Sequence, residues 1–340
     1  MSKKIIVTGG LGYIGSHTVV ALHEAGYTPV IIDNLSNTYL SVLDGIETLI
    51  GNRPIFYQED CCDQAAMNRI FEQEQDIAGI IHFAAFKAVG ESVQHPMKYY
   101  TNNLNSLLVM TEISLQYKVL NFVFSSSCTV YGQPDALPVT EQSPIKEAES
   151  PYGYTKQVGE RILSDLVEIS DLQVCMLRYF NPIGAHPTAE IGELPIGVPN
   201  NLVPYITQTA AGIREKLTVF GNDYDTPDGT CVRDYIHVCD IADAHVQALK
   251  KLEDNALSTP YINLGSGTGN TVLEVIQSFE KMNNTPVPYT IGNRRAGDVE
   301  KIYANNSLAK KQLDWNPRYT LDDAMQHVWK WQQQLKKTEA

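Results

Sequence analysis

Cysteine is scarce in this sequence of 340 residues. There are six cysteines, two of them adjacent at Cys61 and Cys62, and no CxxC pair occurs. This pattern excludes a disulfide framework, a zinc ribbon and a thioredoxin-type couple, and it is typical of reduced thiols in a cytoplasmic protein. Long apolar runs are also missing: no stretch approaches the roughly 18 to 20 residues of a membrane span. Gly9 and Gly10 interrupt the apolar run that follows the basic start, which argues against a signal peptide. We therefore expect a cytoplasmic protein without a membrane role.

Basic residues are few. The 26 Lys and Arg residues are outnumbered by 39 Asp and Glu residues, so the formal net charge is −13. A field of this sign repels a phosphate backbone, and we expect no nucleic-acid partner. A phosphorylated small molecule can still bind where a few Arg or Lys side chains converge. The eight histidines show no HxxxH or HExxH spacing, so no metal site is predicted.

The first 33 residues predict a βαβ unit. An apolar strand at 5–7 is followed by glycines, a helix at 16–25 and a second strand at 29–33. Further apolar strands are predicted at 55–57, 77–83, 122–125 and 173–179, with amphipathic helices such as 102–118 and 154–169 between them. Apolar strands that alternate with helices indicate a parallel sheet covered on both faces. The length predicts about two domains.

Residues 181–204 are rich in Pro and Gly, and we place the domain boundary there, between 1–180 and 181–340. The second part predicts a mixture: helix 205–215, strand 217–220, helix 241–251 with Asp240 as N-cap, helix 271–281, strand 287–291 and helix 321–335. Parts of 230–260 are expected to return to the first sheet.

A glycine-rich turn, with Gly9, Gly12 and Gly15, lies between the first strand and the first helix. Residues without side chains let backbone amides approach a pyrophosphate, and the helix N-terminus adds partial positive charge. Asp33 ends the second strand, where a carboxylate can accept both ribose hydroxyls of an adenosine and would repel a 2′-phosphate. The sequence therefore favours NAD over NADP; a helix N-cap is the alternative for Asp33. Asp60, after the third strand, is either an adenine contact or a solvated loop residue.

Tyr152 and Lys156 are four residues apart, directly after Pro151, which marks a helix start. This spacing places both side chains on one helix face. A free phenol has a pKa of about 10, and an adjacent ammonium favours the phenolate. Of the 18 tyrosines, only Tyr152 has a Lys at the fourth following position. We predict that Tyr152 is a base and that Lys156 lowers its pKa. The alternative is that the pair lies on the surface without a function, as most Tyr-Lys pairs on helices do.

Three serines follow the strand at 122–124, at the carboxyl end where α/β sheets open onto their ligands. We expect Ser125 and Ser126 to cap the following turn. Ser127 is the candidate for a hydrogen-bonding proton relay to a sugar hydroxyl.

Together these motifs resemble the extended short-chain dehydrogenase/reductases, and among them the UDP-galactose 4-epimerases. The resemblance covers essentially the whole chain in the right order. It is carried by Tyr152 with Lys156 and by the segments 8–15 (TGGLGYIG), 33–37 (DNLSN), 82–92 (HFAAFKAVGES), 102–103 (NN), 125–132 (SSSCTVYG), 177–186 (LRYFNPIGAH), 199–202 (PNNL) and 229–238 (GTCVRDYIHV). It implies a Rossmann-type doubly wound parallel sheet that binds NAD, with a smaller mixed α/β domain that binds the UDP-sugar.

The resemblance implies a cytoplasmic enzyme of galactose metabolism that interconverts UDP-galactose and UDP-glucose. Tyr152 would take the proton of the sugar 4-hydroxyl while C4 gives its hydride to tightly bound NAD. The ketosugar would then rotate and receive the hydride on its other face. Lys156 would hold the nicotinamide ribose and, with the positive ring of the cofactor, keep Tyr152 acidic, while Ser127 would bridge Tyr152 and the sugar oxygen.

The resemblance also implies contacts outside this trio. The cofactor-binding residues would be Gly9, Gly12, Tyr13, Ile14, Gly15, Asp33, Asn34, Asn37, Asp60, Cys61, Phe83, Ala84, Lys87, Asn102, Tyr152, Lys156 and Phe180. The residues that grip the uridine diphosphate would be Asn181, Asn201, Arg233, Arg295 and Asp298. Helices 102–118 and 154–169 resemble the pair that forms a homodimer interface in relatives, although their apolar stripes equally suit packing on the sheet.

Three alternatives remain at this stage. A nucleotide-sugar dehydratase would carry an Asp-Glu pair where this chain has Cys128 and Thr129. A non-catalytic NAD-binding module would lack the Tyr or the Lys. An epimerase for N-acetylated UDP-sugars, alone or with dual specificity, stays open. In the family a bulky aromatic residue near Ile302 narrows the hexose pocket, and the sequence leaves open whether Ile302 or Tyr303 faces the sugar.

Overall fold

A computed structural model describes residues 2–295 and 299–339 of the chain. Its strands, in chain order, are β1 (Lys4–Thr8), β2 (Thr28–Ile32), β3 (Ile55–Tyr57), β4 (Ile77–His82), β5 (Asn121–Ser127), β6 (Gln173–Tyr179), β7 (Asn181–Ile183), β8 (Leu217–Phe220), β9 (Val232–His237), β10 (Tyr261–Leu264), β11 (Gly269–Thr271), β12 (Tyr289–Gly292) and β13 (Lys301–Ile302).

The helices alternate with the strands in the first half of the chain. In chain order they are α1 (Tyr13–Glu24), α2 (Val42–Ile50), α3 (Gln64–Gln73), α4 (Val89–Gln94), α5 (Pro96–Tyr99), α6 (Asn105–Gln116), α7 (Pro151–Ile169), α8 (Leu202–Ala210), α9 (Val238–Glu253), α10 (Val272–Asn283), α11 (Ser307–Leu313) and α12 (Leu321–Glu339). A π-helix at Tyr100–Leu104 leads into α6, and a 3-10 turn at Cys128–Tyr131 follows β5. No helix in the described ranges is both long and apolar enough to span a membrane.

Seven parallel strands form the large sheet, in the order β10-β6-β5-β4-β1-β2-β3. One apolar core lies between the sheet and α1, α2 and α9, and a second lies between the opposite face and α3, α6 and α7. The predicted doubly wound α/β fold is therefore confirmed. Since β1 has β2 on one side and β4 on the other, the strand order reverses at β1, and ligands of such sheets bind outside the carboxyl ends at this point.

The remaining strands form a smaller, mixed layer. β9 pairs with β7, β11 and β13, while β8 and β12 make a separate parallel pair. Helices α8, α10 and α12 supply an apolar core of their own, around residues such as Ile206, Phe279 and Met325. The chain then crosses back: α9 packs on α1, and β10 pairs with β6 at the edge of the large sheet.

Several predicted boundaries are wrong. The first helix begins at Tyr13 rather than residue 16, so Gly15 lies in its first turn. The helix predicted at 205–215 is Leu202–Ala210. The helix predicted at 241–251 begins at Val238, because the Nδ1 atom of His237, rather than Asp240, accepts the N–H of Cys239 at its N-terminus (3.1 Å).

Candidate active site

The glycine turn connects β1 to α1 without room for side chains. Gly9 has φ +67°, and a Cβ atom there would lie 2.9 Å from the backbone nitrogen of Ala84. A Cβ atom on Gly15 would lie 2.2 Å from the carbonyl oxygen of Gly9. Gly12 is the N-cap of α1 and no side chain caps the helix, so the partial positive charge of its N-terminus is directed at the turn. This arrangement suits a pyrophosphate group.

Two residues of the first helical turn anchor α1. The hydroxyl of Tyr13 donates a hydrogen bond to the carbonyl of Gly184 (2.6 Å), next to β7, and so connects the turn to the smaller layer. Ile14 packs against the core beneath α1.

Asp33 follows β2 and is buried beside the glycine turn. Its carboxylate accepts the backbone N–H of Leu11 (3.1 Å) and of Leu35 (2.9 Å), while burial raises its pKa. The alternative of a helix N-cap is wrong, because the next helix begins at Val42 after Ser41. Each carboxylate oxygen accepts one of these N–H groups and, with two lone pairs, can accept a further bond from a ribose hydroxyl.

The adenosine side of the predicted cofactor site is more exposed. Asn34, Asn37 and Asp60 lie at the surface, whereas Cys61 is buried in the core. Asp60 accepts hydrogen bonds from the side chain of Asn34 (3.2 Å) and from the backbone of Cys62 (2.8 Å). These bonds order the loop after β3.

The remaining predicted cofactor residues surround the ends of β4 and β6. The ring centroids of Phe83 and His245 are 4.7 Å apart, and the backbone N–H of Ala84 donates to Thr8 (3.3 Å). The structure further shows Lys87 in an ion pair with Glu193 (3.2 Å), Asn102 donating to Asn103 (3.0 Å), and Phe180 buried in a small apolar cluster.

Tyr152 and Lys156 lie in the first two turns of α7. Pro151 begins the helix, and Ser150 caps it by accepting the N–H of Gly153 (3.1 Å). The ammonium of Lys156 donates to the backbone carbonyl of Ser125 (2.5 Å) and lies 5.9 Å from the centroid of the Tyr152 ring. The predicted one-faced pair is therefore present.

The pKa prediction for this pair is wrong for the protein alone. Desolvation raises the pKa of Tyr152 to about 12, and the neighbouring Ser127 hydroxyl only partly opposes this rise. Lys156 does not offset this effect, because its ammonium is bound to a carbonyl on β5 and burial lowers its own pKa to about 8. In both pKa values, the effect of desolvation is larger than the effect of the attraction between the phenolate and the ammonium.

The prediction that Ser125 and Ser126 cap the turn after β5 is wrong. Ser127, not Ser125 or Ser126, caps the following 3-10 turn by accepting the N–H of Thr129 (3.2 Å). The hydroxyl of Ser126 instead donates to Glu160 (2.6 Å). Ser127, the last residue of β5, thus caps the turn and lies close enough to Tyr152 to lower the pKa of the phenol.

The predicted diphosphate-binding residues lie on several elements. Asn181 begins β7, and Asn201 precedes α8 and donates to Glu193 (2.6 Å). Arg233 lies on β9 close to Cys128, where its charge opposes only part of the rise in the thiol pKa that burial causes. The guanidinium of Arg295 lies 5.6 Å from the ring centroid of Phe220. Asp298 lies outside the described residues.

Residues that would make a dehydratase are missing at the end of β5. Burial raises the pKa of the Cys128 thiol to about 12, so it stays protonated at neutral pH. The neighbouring Thr129 hydroxyl cannot ionise in this range. In 2–295 and 299–339 no group of three or more His, Cys, Asp or Glu residues is arranged to hold a metal ion.

Two acidic residues near the site escaped the sequence analysis. Glu193 accepts hydrogen bonds from Lys87 and from Asn201, and so connects the two layers. Nothing in its spacing indicates this role. Glu160 accepts hydrogen bonds from Ser126 and Arg178. It lies four residues after Lys156, as Lys156 does after Tyr152, and this regular spacing is a signal in the sequence that indicates a shared helix face.

Comparison with known proteins agrees with this geometry. A family model described as GDP-mannose 4,6 dehydratase matches residues 6–328. UDP-glucose 4-epimerase 2 of Arabidopsis thaliana is 48% identical over 97% of this chain and 95% of its own length. The chain belongs to the UDP-glucose 4-epimerase family. This confirms the resemblance to extended short-chain dehydrogenase/reductases.

Solved structures of UDP-glucose 4-epimerases superpose closely on the chain. The enzyme from Stenotrophomonas maltophila, with bound NAD and formylated UDP-arabinopyranose, is 45% identical, with a TM-score of 0.96 and 99% coverage of both chains. The enzyme from Bifidobacterium longum, in complex with NAD+ and UDP, is 42% identical, with a TM-score of 0.92 and 98% coverage of both.

Proposed function

We propose that the protein is an NAD-dependent UDP-glucose 4-epimerase that interconverts UDP-galactose and UDP-glucose. One observation carries this proposal. Tyr152 and Lys156 on α7 lie beside the carboxyl end of β5, where Ser127 is, and the glycine turn follows β1 of the same sheet. The epimerases that the chain resembles support the same reaction.

The residues of the turn fit NAD. A side chain at Gly9 or Gly15 would collide with backbone atoms, and the uncapped end of α1 offers the charge that a pyrophosphate needs. Gly12, Tyr13 and Ile14 would complete this cradle, and Asp33 would hold the adenosine ribose. The further cofactor contacts would be Asn34, Asn37, Asp60, Cys61, Phe83, Ala84, Lys87, Asn102 and Phe180. The chemistry that NAD supplies when bound is the reversible acceptance of a hydride.

The chain itself moves the proton. Tyr152 would take it from the sugar 4-hydroxyl and give it back, with Ser127 bridging the two oxygens. Because the pKa of Tyr152 is about 12 in the protein alone, this role requires additional positive charge. The positively charged nicotinamide ring of the bound cofactor would supply it, beside Lys156.

The nucleotide would be held by the smaller layer. Arg233 and Arg295 present planar guanidinium groups, which suit the oxygens of a diphosphate. Asn181, Asn201 and Asp298 would complete the site. This division supports separate NAD-binding and UDP-sugar-binding domains, 1–180 and 181–340, with part of 230–260 at the large sheet.

The proposal is tested by incubating the purified protein with UDP-galactose, without added cofactor, and separating the products chromatographically. UDP-glucose is the expected product, because the cofactor is regenerated within each turnover. Absence of UDP-glucose from protein that demonstrably holds NAD would overturn the proposal.

A second candidate activity is epimerisation of N-acetylated UDP-sugars. Ile302 is buried in the small cluster that includes Phe180, with Cys128 packed against it, whereas the ring of Tyr303 lies toward Gly269. Ile302 is thus the residue on the catalytic side, and it is smaller than the aromatic residue that narrows the pocket in relatives. This observation favours dual specificity.

We further propose a cytoplasmic homodimer. Leu108 on α6 and Tyr154 on α7 leave about half of their side chains exposed (45% and 51%), on the two helices predicted to form the interface. Sedimentation equilibrium should give twice the monomer mass of 37.8 kDa.

A further inference from the structure

Three residues of α7, spaced by four, contact three consecutive residues at the end of β5. Tyr152 lies close enough to Ser127 for this hydroxyl to affect the phenol. The ammonium of Lys156 is hydrogen-bonded to the carbonyl of Ser125 (2.5 Å), and the carboxylate of Glu160 to the hydroxyl of Ser126 (2.6 Å). Residues at i, i+4 and i+8 share one face of a helix. We call these three contacts the α7–β5 ladder. Two of its helical members are the proposed catalytic pair, and Glu160 is the third.

Glu160 is fixed more firmly than the other two. Its side chain forms two hydrogen bonds with Arg178 on β6, at 2.8 Å to Nε and 2.6 Å to Nη2, and the exposed fractions of the two residues are 5% and 3%. Arg178 also donates to the hydroxyl of Tyr131 (2.9 Å), which in turn donates to Asn263 on β10 (2.6 Å). The third rung of the ladder is therefore connected to β5, β6 and β10.

Stability alone does not account for this pair. The desolvation of a buried ion pair offsets most of its attraction, and an apolar pair of similar volume is often as stable. Its position suggests another use. A rotation or translation of α7 relative to β5 would lengthen all three contacts together. Because the contact at Glu160 is held by Arg178, it fixes the positions of Tyr152 and Lys156.

Glu160 also affects the charge of Lys156. The titratable groups that face Lys156 are Tyr152 and Glu160 on α7 and His82 on β4. Burial lowers the pKa of His82 to about 3, so this imidazole is neutral at neutral pH, and the buried phenol is neutral as well. Glu160 is the anion of this group, and it opposes the desolvation that favours loss of the Lys156 proton.

We propose that Glu160, held by Arg178 and Ser126, is a positioning residue for proton transfer: it fixes α7 on β5 and holds a carboxylate on the helix face that carries Tyr152 and Lys156. The inference rests on the proposed epimerase function and adds to it a residue that does not touch the substrate.

The test is the pH dependence of kcat in Glu160→Gln, which keeps the shape and an oxygen acceptor but removes the charge. We expect the alkaline limb of kcat to move to lower pH by about one unit, because Lys156 loses its proton more readily. The KM for UDP-galactose should not change. The matched control is Asp165→Asn, which removes a carboxylate from an exposed pair with Arg161 on the same helix and should reproduce the wild-type profile.

Because Glu160→Gln leaves Arg178 buried without an anion, a second variant combines it with Arg178→Met. This double variant removes both charges, so its thermal midpoint should recover toward the wild type while the alkaline limb stays shifted. A wild-type limb in the double variant, or a uniform loss of kcat at every pH, would overturn the inference. A wild-type protein without epimerase activity would instead overturn the proposed function, and the inference with it.

Discussion

Burial acts on Tyr152 and Lys156 in opposite directions, and this sets the protonation state of the pair. It raises the pKa of the phenol to about 12 and lowers that of the ammonium to about 8. Both shifts favour the neutral form of each group, since a charged group loses its hydration when it is buried. A base at this position thus depends on additional charge supplied around it.

Replacement of Tyr152 by Phe removes the proton acceptor and keeps the ring. We expect kcat to fall by about 10²- to 10⁴-fold, the usual contribution of a general base. UDP affinity, measured by calorimetry, should remain near the wild-type value, because the phenol does not contact the nucleotide in the proposed mechanism. Near-normal turnover would remove Tyr152 from the reaction.

A second prediction at this scale concerns Ile302, which packs in the cluster of Phe180. Ile302→Tyr should lower kcat/KM for UDP-N-acetylgalactosamine by more than about tenfold and change that for UDP-galactose much less, because added bulk excludes the larger sugar. The readout is the ratio of the two kcat/KM values. An unchanged ratio would show that Ile302 does not determine specificity.

At the scale of the elements, the β1–α1 turn depends on close backbone contact. Gly15→Ala should displace α1, because the new Cβ atom would lie 2.2 Å from the carbonyl oxygen of Gly9. NAD content after purification, measured in a denatured extract, should fall well below the wild-type level. Gly90→Ala is the matched control, since a Cβ atom there meets nothing within 4 Å. Full NAD retention in Gly15→Ala would contradict the assigned role of the turn.

The elements also show what the sequence could predict. β1 to β6 are short apolar runs bounded by helical patterns, so local periodicity identifies them. The smaller layer was predicted less well, because β7, β11 and β13 have only two or three residues each and find their partners across distant parts of the chain. In the site, motif spacing indicated Tyr152 and Lys156, whereas the roles of Ser126 and Ser127 depended on where α7 lies on β5.

At the scale of the whole molecule, four of the buried histidines have strongly lowered pKa values, which make stability sensitive to acid. Burial lowers the pKa of His17 and His82 to about 3, of His237 to about 2 and of His245 to about 4. A histidine in the unfolded state has a pKa of about 6.5. As the pH falls below that value, the histidines of the unfolded state bind protons, whereas those of the folded state stay neutral. The free energy of unfolding should then fall, at a rate approaching about 1.4 kcal/mol per pH unit for each group.

Urea titrations at pH 7.0 and pH 5.5 check this prediction, and the midpoint should be lower at pH 5.5. The raised pKa values of the buried Asp33 and Asp234 act in the opposite direction. The lowered pKa values of the four histidines should outweigh them, because each lies far below the pKa of an unfolded histidine. Equal midpoints would show that the histidines are hydrated or paired when protonated.

The return of the chain through α9 to β10 has a consequence for biosynthesis. The large sheet cannot be completed until residue 264 has left the ribosome, after β7, α8, β8 and β9 of the smaller layer have been synthesised. Until then β6 is an open edge, and the core face that α9 covers is exposed to solvent. A fragment that ends at residue 180 keeps this edge permanently, so it should aggregate rather than behave as an independent NAD-binding unit.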